Sequence, residues 1–559
     1  MTASFEPIAI VGQGCALPGA LSPEALWQAI ATGRDLLSTS PDGAWRVGHD
    51  LVLCPPDGDA TDKAWSARGG YVAGFDEAFD AAQYGLPTDR LEGADTLVRW
   101  SLYAAGQALG QANEVARERT GVIFGNLSYP SRALSLFAEH QWLEALGERA
   151  GRPLSDQVGV GPIAPESRFM SGLPASLVRK GLRLGGPAHA LDAACASSLY
   201  AIKLACDALH DRRADAMLAG GVNAADDLII HVGFSALKAL SRSGQSRPFH
   251  PDADGLVPAE GAAFVLLKRL ADAERDGDAI AGVIRGVGLS NDGLAGGLLA
   301  PDSHGQQEAM RAAYAMSGVD PARVSLVECH ATGTSVGDAA ELETMAAVFD
   351  GAPDLPVGSL KSNMGHLITA SGTAGLMKVL GALKHQKRPA SLHVEGPVAV
   401  PEASPLRVLT EAEPWPSEGR RVAAVSNFGF GGNNAHLVVE EYAPGAFEEP
   451  LAPAAASDDV RVAIVGLQVL AAGGEGVEDF VADVLSGRSR LTEADGQPLE
   501  GRATTVSLPL TGLRFPPKDL EQSMSQQLLV LRAALDLEPL IRASAPERTG
   551  VFVGMQCDA

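Results

Sequence analysis

Cysteine is sparse in this chain of 559 residues: Cys15, Cys54, Cys195, Cys206, Cys329 and Cys557 are scattered, and no two form a CxxC pair. That spacing excludes a disulfide scaffold and a paired-thiolate zinc site, and it suits a reducing compartment. Aromatic residues reach only 5%, although hydrophobic residues make up 46%. A large core must therefore be built from Ala, Val, Leu, Ile and Gly, which let helices pack closely on sheets. Positive charge is also short: 44 Lys and Arg face 68 Asp and Glu, a formal net charge of -24. Nucleic-acid binding over the whole surface is excluded, because phosphate neutralisation needs clustered cations. A local basic patch for an acidic partner is not excluded. No apolar run is long enough to span a bilayer, and the opening MTASFEPIAIVGQG lacks the basic-then-apolar order of a secretory signal. The expectation is a soluble cytoplasmic protein with no membrane span.

What is present is an alternation of strand-like and helix-like runs to about residue 440. Ile8–Val11 reads as an opening strand running into Gly12 and Gly14. Ser22 can cap a following helix, Pro23 suits its first turn, and Leu26, Trp27 and Ile30 share a face. Leu17 stands where a dinucleotide fingerprint needs its third glycine, so the two glycines read as a tight strand-to-helix turn. Gly121–Gly125, Ala216–Gly220, Ala262–Leu267 and Val324–Cys329 read as further strands, and the alternation implies layered α/β architecture.

Texture changes at Glu441–Asp459, which is rich in Ala, Pro and acid and reads as a linker. After it the sequence begins again. Val462–Gly466 repeats Ile8–Gly12, and Gly487-Arg488 repeats Gly33-Arg34, both 454 residues on. Pro516 matches Pro87, and Arg548–Val551 matches Arg119–Val122, both 429 residues on. One deletion of 25 residues reconciles the two offsets, so the pattern implies a diverged duplication. The expected domains are 1–440, a linker at 441–460, and the start of a second copy at 461–559.

Four segments carry chemistry. His189–Tyr200 holds Cys195 just before residues of helical spacing, Leu199, Ile202, Ala205 and Leu209. A helix start offers free N–H groups and a dipole that lower a cysteine pKa towards neutrality. A buried structural cysteine is the competing reading of that segment alone. Glu328–Asp338 delivers His330 at the end of a strand into a loop rich in Gly and Thr, while Cys329 faces the core. Lys361–His366 precedes a small-residue helix. Asn427–His436 holds three glycines, which let backbone approach a ligand closely, and no Gly-Lys-Ser/Thr follows to make it a phosphate cradle. His436 reads as structural. A metal site is not expected, since no two histidines have ligand spacing on one element.

Together these segments resemble the β-ketoacyl synthases of the thiolase superfamily, over residues 1–445. The pieces are DAACASS at Asp192–Ser198, ECHATGT at Glu328–Thr334, KSNMGH at Lys361–His366 and NFGFGGNNAH at Asn427–His436. The resemblance implies an α/β thiolase-like five-layer αβαβα sandwich built from two similar halves, usually dimeric, followed here by a truncated second thiolase-like copy. It implies that Cys195 accepts the acyl chain and that His330 and His366 assist decarboxylation of a malonyl thioester. Lys361 and Glu341 match a supporting ion pair, and Thr332 and Thr334 match contacts to the phosphopantetheine arm. Phe430 matches a mobile gate whose N–H, with that of Cys195, forms an oxyanion hole. Asn433 departs from the family's usual Thr. No bound cofactor or metal is implied, because the substrates travel on the phosphopantetheine of an acyl carrier protein. A ketosynthase followed by a second such unit resembles the ketosynthase–chain-length-factor subunit of polyunsaturated fatty acid synthases, as does Gly125–Pro130. The competing readings are a non-catalytic chain-length factor, a modular polyketide ketosynthase and a degradative thiolase.

Overall fold

The computed structural model describes residues 5–154, 165–293, 300–395, 400–447 and 462–491, and from 501 to 555 all but 502, 504, 512, 514, 543 and 546–548. It divides into two units, Met1–Ala452 with Gln556–Ala559, and Pro453–Met555. Most of the expected linker lies outside the described residues.

Eleven strands of the larger unit form one mixed sheet: β1 (Ile8–Ala16), β2 (Thr120–Asn126), β3 (Ala188–Leu191), β4 (Ala216–Asn223), β5 (Gly261–Arg269), β6 (Gly282–Asn291), β7 (Val324–Glu328), β8 (Leu355–Gly358), β9 (Leu406–Val408), β10 (Val422–Gly429) and β11 (Asn433–Glu440). Their order is β9-β8-β7-β10-β11-β6-β1-β5-β4-β2-β3. The pattern repeats. At one end β3, β2 and β4 are parallel, followed by antiparallel β5 and β1. At the other, β8, β7 and β10 are parallel, followed by antiparallel β11 and β6, with β9 added at the edge. Ile8, Ala9 and Ile10 join the two halves by pairing with Ile284, Val283 and Gly282.

Helices complete the layers. They are α1 (Pro23–Ala31), α2 (Thr96–Leu109), α3 (Leu173–Gly181), α4 (Ser197–His210), α5 (Asp227–Ala236), α6 (Ser303–Ser317), α7 (Ser335–Val348) and α8 (Ser371–His385). Helices α4 and α8 touch each other and strands of both halves, and they fill the central core with Leu199, Ile202, Leu376 and Leu380. Helices α2 and α3 cover one outer face, and α6 and α7 the other. The layers therefore run helix, sheet, helix, sheet, helix, with the sheet continuous through β1 and β6. Helix α1 starts where expected, with Ser22 Oγ accepting from the Ala25 N–H at 3.2 Å.

Gly12 and Gly14 do not form the expected turn. Both lie inside β1, which runs on to Ala16. A Cβ on Gly12 would sit 2.0 Å from the Ala108 carbonyl oxygen, and one on Gly14 2.1 Å from that of Ala104. The glycines let α2 lie directly on the strand.

The smaller unit contains α9 (Val477–Ser486), a short helix Pro517–Glu521 and α10 (Ser525–Ile541), with a two-residue strand pair at Leu470–Ala471 and Gly474–Glu475. The expected strands at Val462–Gly466 and Arg548–Val551 do not form over their described residues. Val462 is 91% exposed and Phe552 95%. In the larger unit β1 is held between β5 and β6, and β2 between β3 and β4. Among the described residues of the smaller unit no such partners exist, and a strand cannot satisfy its own backbone. Helices bond internally, and these do form at the repeat offsets. Pro23–Ala31 corresponds to α9, the helix Thr88–Glu92 to Pro517–Glu521, and α2 to α10. Gly33 and Gly487 share a left-handed φ, 63° and 67°, as do Gly19 and Gly473, 64° and 77°.

Candidate active site

Sequence-distant segments converge where the equivalent strands β3 and β8 feed the central helices α4 and α8. Cys195 lies two residues before α4 in a tight turn, with Ala194 at a left-handed φ of 50°. Small side chains make that conformation tolerable, and hydrogen bonds hold it. Asp192 accepts from the N–H groups of Ala194 at 2.8 Å and Ser128 at 2.7 Å, and Ser197 Oγ accepts from the Ala193 N–H at 2.8 Å. From the other half, the Asn427 amide donates to the Cys195 carbonyl at 3.0 Å, and Ser371 Oγ does so at 3.3 Å.

His366 brings Nε2 to 3.0 Å from Cys195 Sγ. His330 follows β7, and its ring centroid lies 5.4 Å from that of His366, nearly perpendicular. Among the described residues, the Nδ1 atoms of both rings are buried and have no partner. An unpaired acceptor is tolerated better than an unpaired N–H, which favours the tautomer with the proton on Nε2. Both rings are held neutral, their pKa values driven well down by burial and then by the Lys361 ammonium, with His366 adding to the effect on His330. The backbone N–H groups of Phe430 and of Cys195 itself also favour negative charge on Sγ. The site therefore offers several N–H donors around one sulfur, an arrangement complementary to negative charge on sulfur or on an adjoining oxygen.

The free thiol nevertheless does not ionise easily. Burial pushes the Cys195 pKa up to about 12, outweighing Lys361 and the two amides, while Asp192 pushes the same way as burial. The expectation of a thiol lowered towards neutrality by a helix start is thus corrected: desolvation dominates.

Lys361 and Glu341 do not pair directly. The Lys361 ammonium donates to the Cys329 carbonyl at 3.4 Å, whereas Glu341 accepts from the N–H groups of His330 at 2.8 Å and Ala331 at 2.7 Å. Burial pushes the Glu341 carboxyl up to about 8, despite those N–H groups and Lys361. The ion pair in direct contact behind the site is Lys378–Glu328, at 2.6 Å. Glu341 acts on His330 through the backbone, and Lys361 through its field.

A cavity of about 510 Å³ opens onto Cys195, His330 and His366, with Thr332, Thr334 and Phe430 also on its wall. The Thr332 and Thr334 hydroxyls meet at 3.1 Å. Opposite, the Phe430 ring packs edge-on against Phe234 of α5, their centroids 6.2 Å apart. The thiol and the two imidazoles are close enough to bracket a metal ion, their ligand atoms within 4.8 Å of one another. The neighbouring Lys361 ammonium repels a cation there, and the donor set fits an anion better.

A family description, β-ketoacyl synthase N-terminal domain, matches residues 5–273, and its C-terminal counterpart matches residues 281–395. The chain belongs to the β-ketoacyl synthase family. This synthase is 37% identical over 449 residues to the phenolphthiocerol synthesis polyketide synthase Pks15/1 of Mycobacterium marinum, an alignment covering 78% of the chain and 20% of that protein. It is 37% identical over 453 residues to the pikromycin polyketide synthase component PikAII of Streptomyces venezuelae, covering 78% of the chain and 11% of that protein. The chain thus spans a fifth or less of the length of these two relatives. Among solved structures, the PfaC keto synthase–chain length factor is 33% identical with a TM-score of 0.78, covering 88% of this chain and 53% of that one. The ketosynthase from module 6 of the bacillaene synthase of Bacillus subtilis is 32% identical with a TM-score of 0.67, covering 78% and 72%.

The site also contains residues for which the sequence alone indicates no role. Asp338 accepts from the N–H groups of Phe249, Thr332 and Gly333, and so shapes the loop carrying the two threonines. Asn427, Ser371 and Asp192 pin the cysteine turn. Asn427 and Asp192 stood inside the quoted motifs, where their position was the available signal. Asn433, the departure from the family pattern, accepts from Asn291 at 3.1 Å, and Asn291 also donates to the Gly431 carbonyl at 3.2 Å, so the asparagine anchors the glycine loop. His436 is structural, held between Tyr314 and Ser426 at 2.9 Å each.

Proposed function

We propose that this synthase extends acyl chains by decarboxylative Claisen condensation in polyunsaturated fatty acid synthesis, with substrates delivered on the phosphopantetheine of an acyl carrier protein. The observation that carries the reading is the 3.0 Å contact between Cys195 Sγ and His366 Nε2, with His330 beside it on the cavity wall. In the first half-reaction Sγ attacks the acyl thioester carbonyl. The bond from that carbon to the carrier sulfur breaks, and the thiol proton leaves with the carrier thiol. The N–H groups of Cys195 and Phe430 receive the oxyanion. In the second, a malonyl thioester loses CO₂. The electron pair of the broken bond passes into an enolate whose oxygen accepts from the Nε2–H groups of His330 and His366. The enolate carbon attacks the Cys195 thioester, the C–Sγ bond breaks, and Sγ regains a proton from water. Thr332 and Thr334 contact the arm, Phe430 gates the pocket, and Glu341 and Lys361 act as supporting groups.

The choice of polyunsaturated fatty acid synthesis over a modular polyketide synthase rests on residues 461–559, read as a second, chain-length-factor-like copy. Its helices recur at the repeat offsets, and the likeness to the PfaC structure reaches a larger share of the chain than the likeness to a single ketosynthase. Pairing of two copies, as a homodimer or with the second copy, is part of this reading, since among the described residues edge strand β3 pairs only with β2. Among the described residues no helix is long and apolar enough to cross a membrane; the cytoplasm is the proposed location.

Intact mass after incubation with acyl carrier proteins of graded chain length tests the proposal. Cys195→Ala should take up no acyl group, and full loading of that variant would put the nucleophile elsewhere. Preference for long straight chains supports the fatty acid reading. Preference for short α-branched chains supports the modular polyketide one.

A further inference from the structure

Polar side chains around the cavity mostly satisfy one another. Thr332 meets Thr334, Asp338 takes three backbone N–H groups, and the Asn434 amide donates to Asp292 at 2.6 Å. Among the described residues that line the cavity, three buried polar atoms have no partner: Nδ1 of His330, Nδ1 of His366 and Oε1 of Gln306. The two histidines belong to the reacting group. Gln306 stands in the first turn of α6, only 2% exposed, in the residue after Gly305, which packs against Asp292 and Asn434.

A buried carbonyl oxygen left without a donor destabilises the folded state, and a donor that arrives with a ligand recovers that loss. The donor must be an N–H or O–H that reaches the cavity with the substrate. A saturated acyl chain and a malonyl carboxylate have no N–H. The pantetheine arm has two, one in each of its secondary amides, and it must pass through this cavity to bring a thioester to Sγ. We propose that Gln306 Oε1 accepts a hydrogen bond from an amide N–H of the phosphopantetheine arm. Gln306 is then a substrate-reading residue. It rewards carrier-borne thioesters over simple acyl thiols and fixes how far the arm enters. The inference rests on the ketosynthase reading and deepens it.

The test uses the full chain and three acyl-pantetheine thioesters: the parent and two analogues in which one amide N–H is replaced by an ester oxygen. Loading of Cys195 is followed by intact mass over time. One analogue should load the wild type about tenfold more slowly than the parent, as expected for one hydrogen bond. Gln306→Leu should load that analogue and the parent at equal rates. A Leu variant that keeps the wild-type preference overturns the proposal, as does a wild type indifferent to both replacements. Gln306→Met, nearer in shape, is measured beside it and must lose the same preference, which keeps the test decisive if the Leu variant does not fold. A wild type loaded by none of the three thioesters defeats the ketosynthase reading itself, a result distinct from loss of amide preference.

Discussion

The thiol of Cys195 is surrounded by N–H donors and lies near a buried ammonium, yet burial still raises its pKa to about 12. A group whose folded pKa lies above its ordinary 9.0 stays protonated through neutral pH, so its thiolate fraction grows about tenfold with each pH unit. Alkylation of Cys195 by iodoacetamide, followed by peptide mass, should therefore climb steadily from about pH 7 to about pH 9.5 without levelling. A plateau below pH 9 would show a stabilised thiolate and refute the dominance of burial. Lys361 is the largest influence lowering this pKa, so Lys361→Met should slow alkylation at fixed pH. The same change should raise the pKa values of His330 and His366, because the ammonium helps to hold both down. Ring-proton NMR titration can read that shift. Histidine pKa values unchanged by Lys361→Met would remove the long-range role assigned to the lysine.

The hairpin of β10 and β11 brings its backbone against the cysteine turn. A Cβ on Gly429 would lie 2.6 Å from the Ala193 carbonyl oxygen and 3.1 Å from the Cys195 nitrogen. Gly431 and Gly432 adopt φ of 86° and 82°, which side chains other than glycine resist. Gly429→Ala should push the hairpin from Cys195, move the Phe430 N–H off the sulfur, and slow acyl loading by about a hundredfold. Loading at the wild-type rate in a folded Gly429→Ala protein would mean that the close approach is not needed. His330→Ala and His366→Ala should still load acyl groups but lose most malonyl decarboxylation, read as CO₂ release. Release at the wild-type rate in either variant would exclude that histidine.

The two units differ in what they bury. The larger one has three extensive clusters of apolar side chains. Among the described residues of the smaller one, Leu520 alone belongs to the buried apolar set, while Val462, Ile464, Val551 and Phe552 are exposed. A segment that buries so little apolar surface has little to offset its chain entropy. Hydrogen exchange on the full chain should show residues 462–469 and 549–555 exchanging within seconds, with Ile8–Ala16 protected by its two neighbouring strands. Strong protection at 462–469 would mean that the segment pairs as a strand in solution.

Much of this was legible in local sequence. The cysteine, the two histidines and the glycine loop stood in motifs, and the Ser22 cap and Pro23 marked α1, because helices and caps depend on residues close in the chain. The tertiary structure alone decided how buried Cys195 is, since that depends on Ile230 and Ile368 packed from distant segments. It decided that Lys361 turns to the Cys329 carbonyl while Glu328 takes Lys378, because two buried cations compete for acids supplied by different elements. It decided that Gly12 and Gly14 serve packing against α2. It also decided that Ile8–Val11 becomes a strand and the similar Val462–Val465 does not, because a strand's hydrogen bonds belong to neighbours far away in sequence.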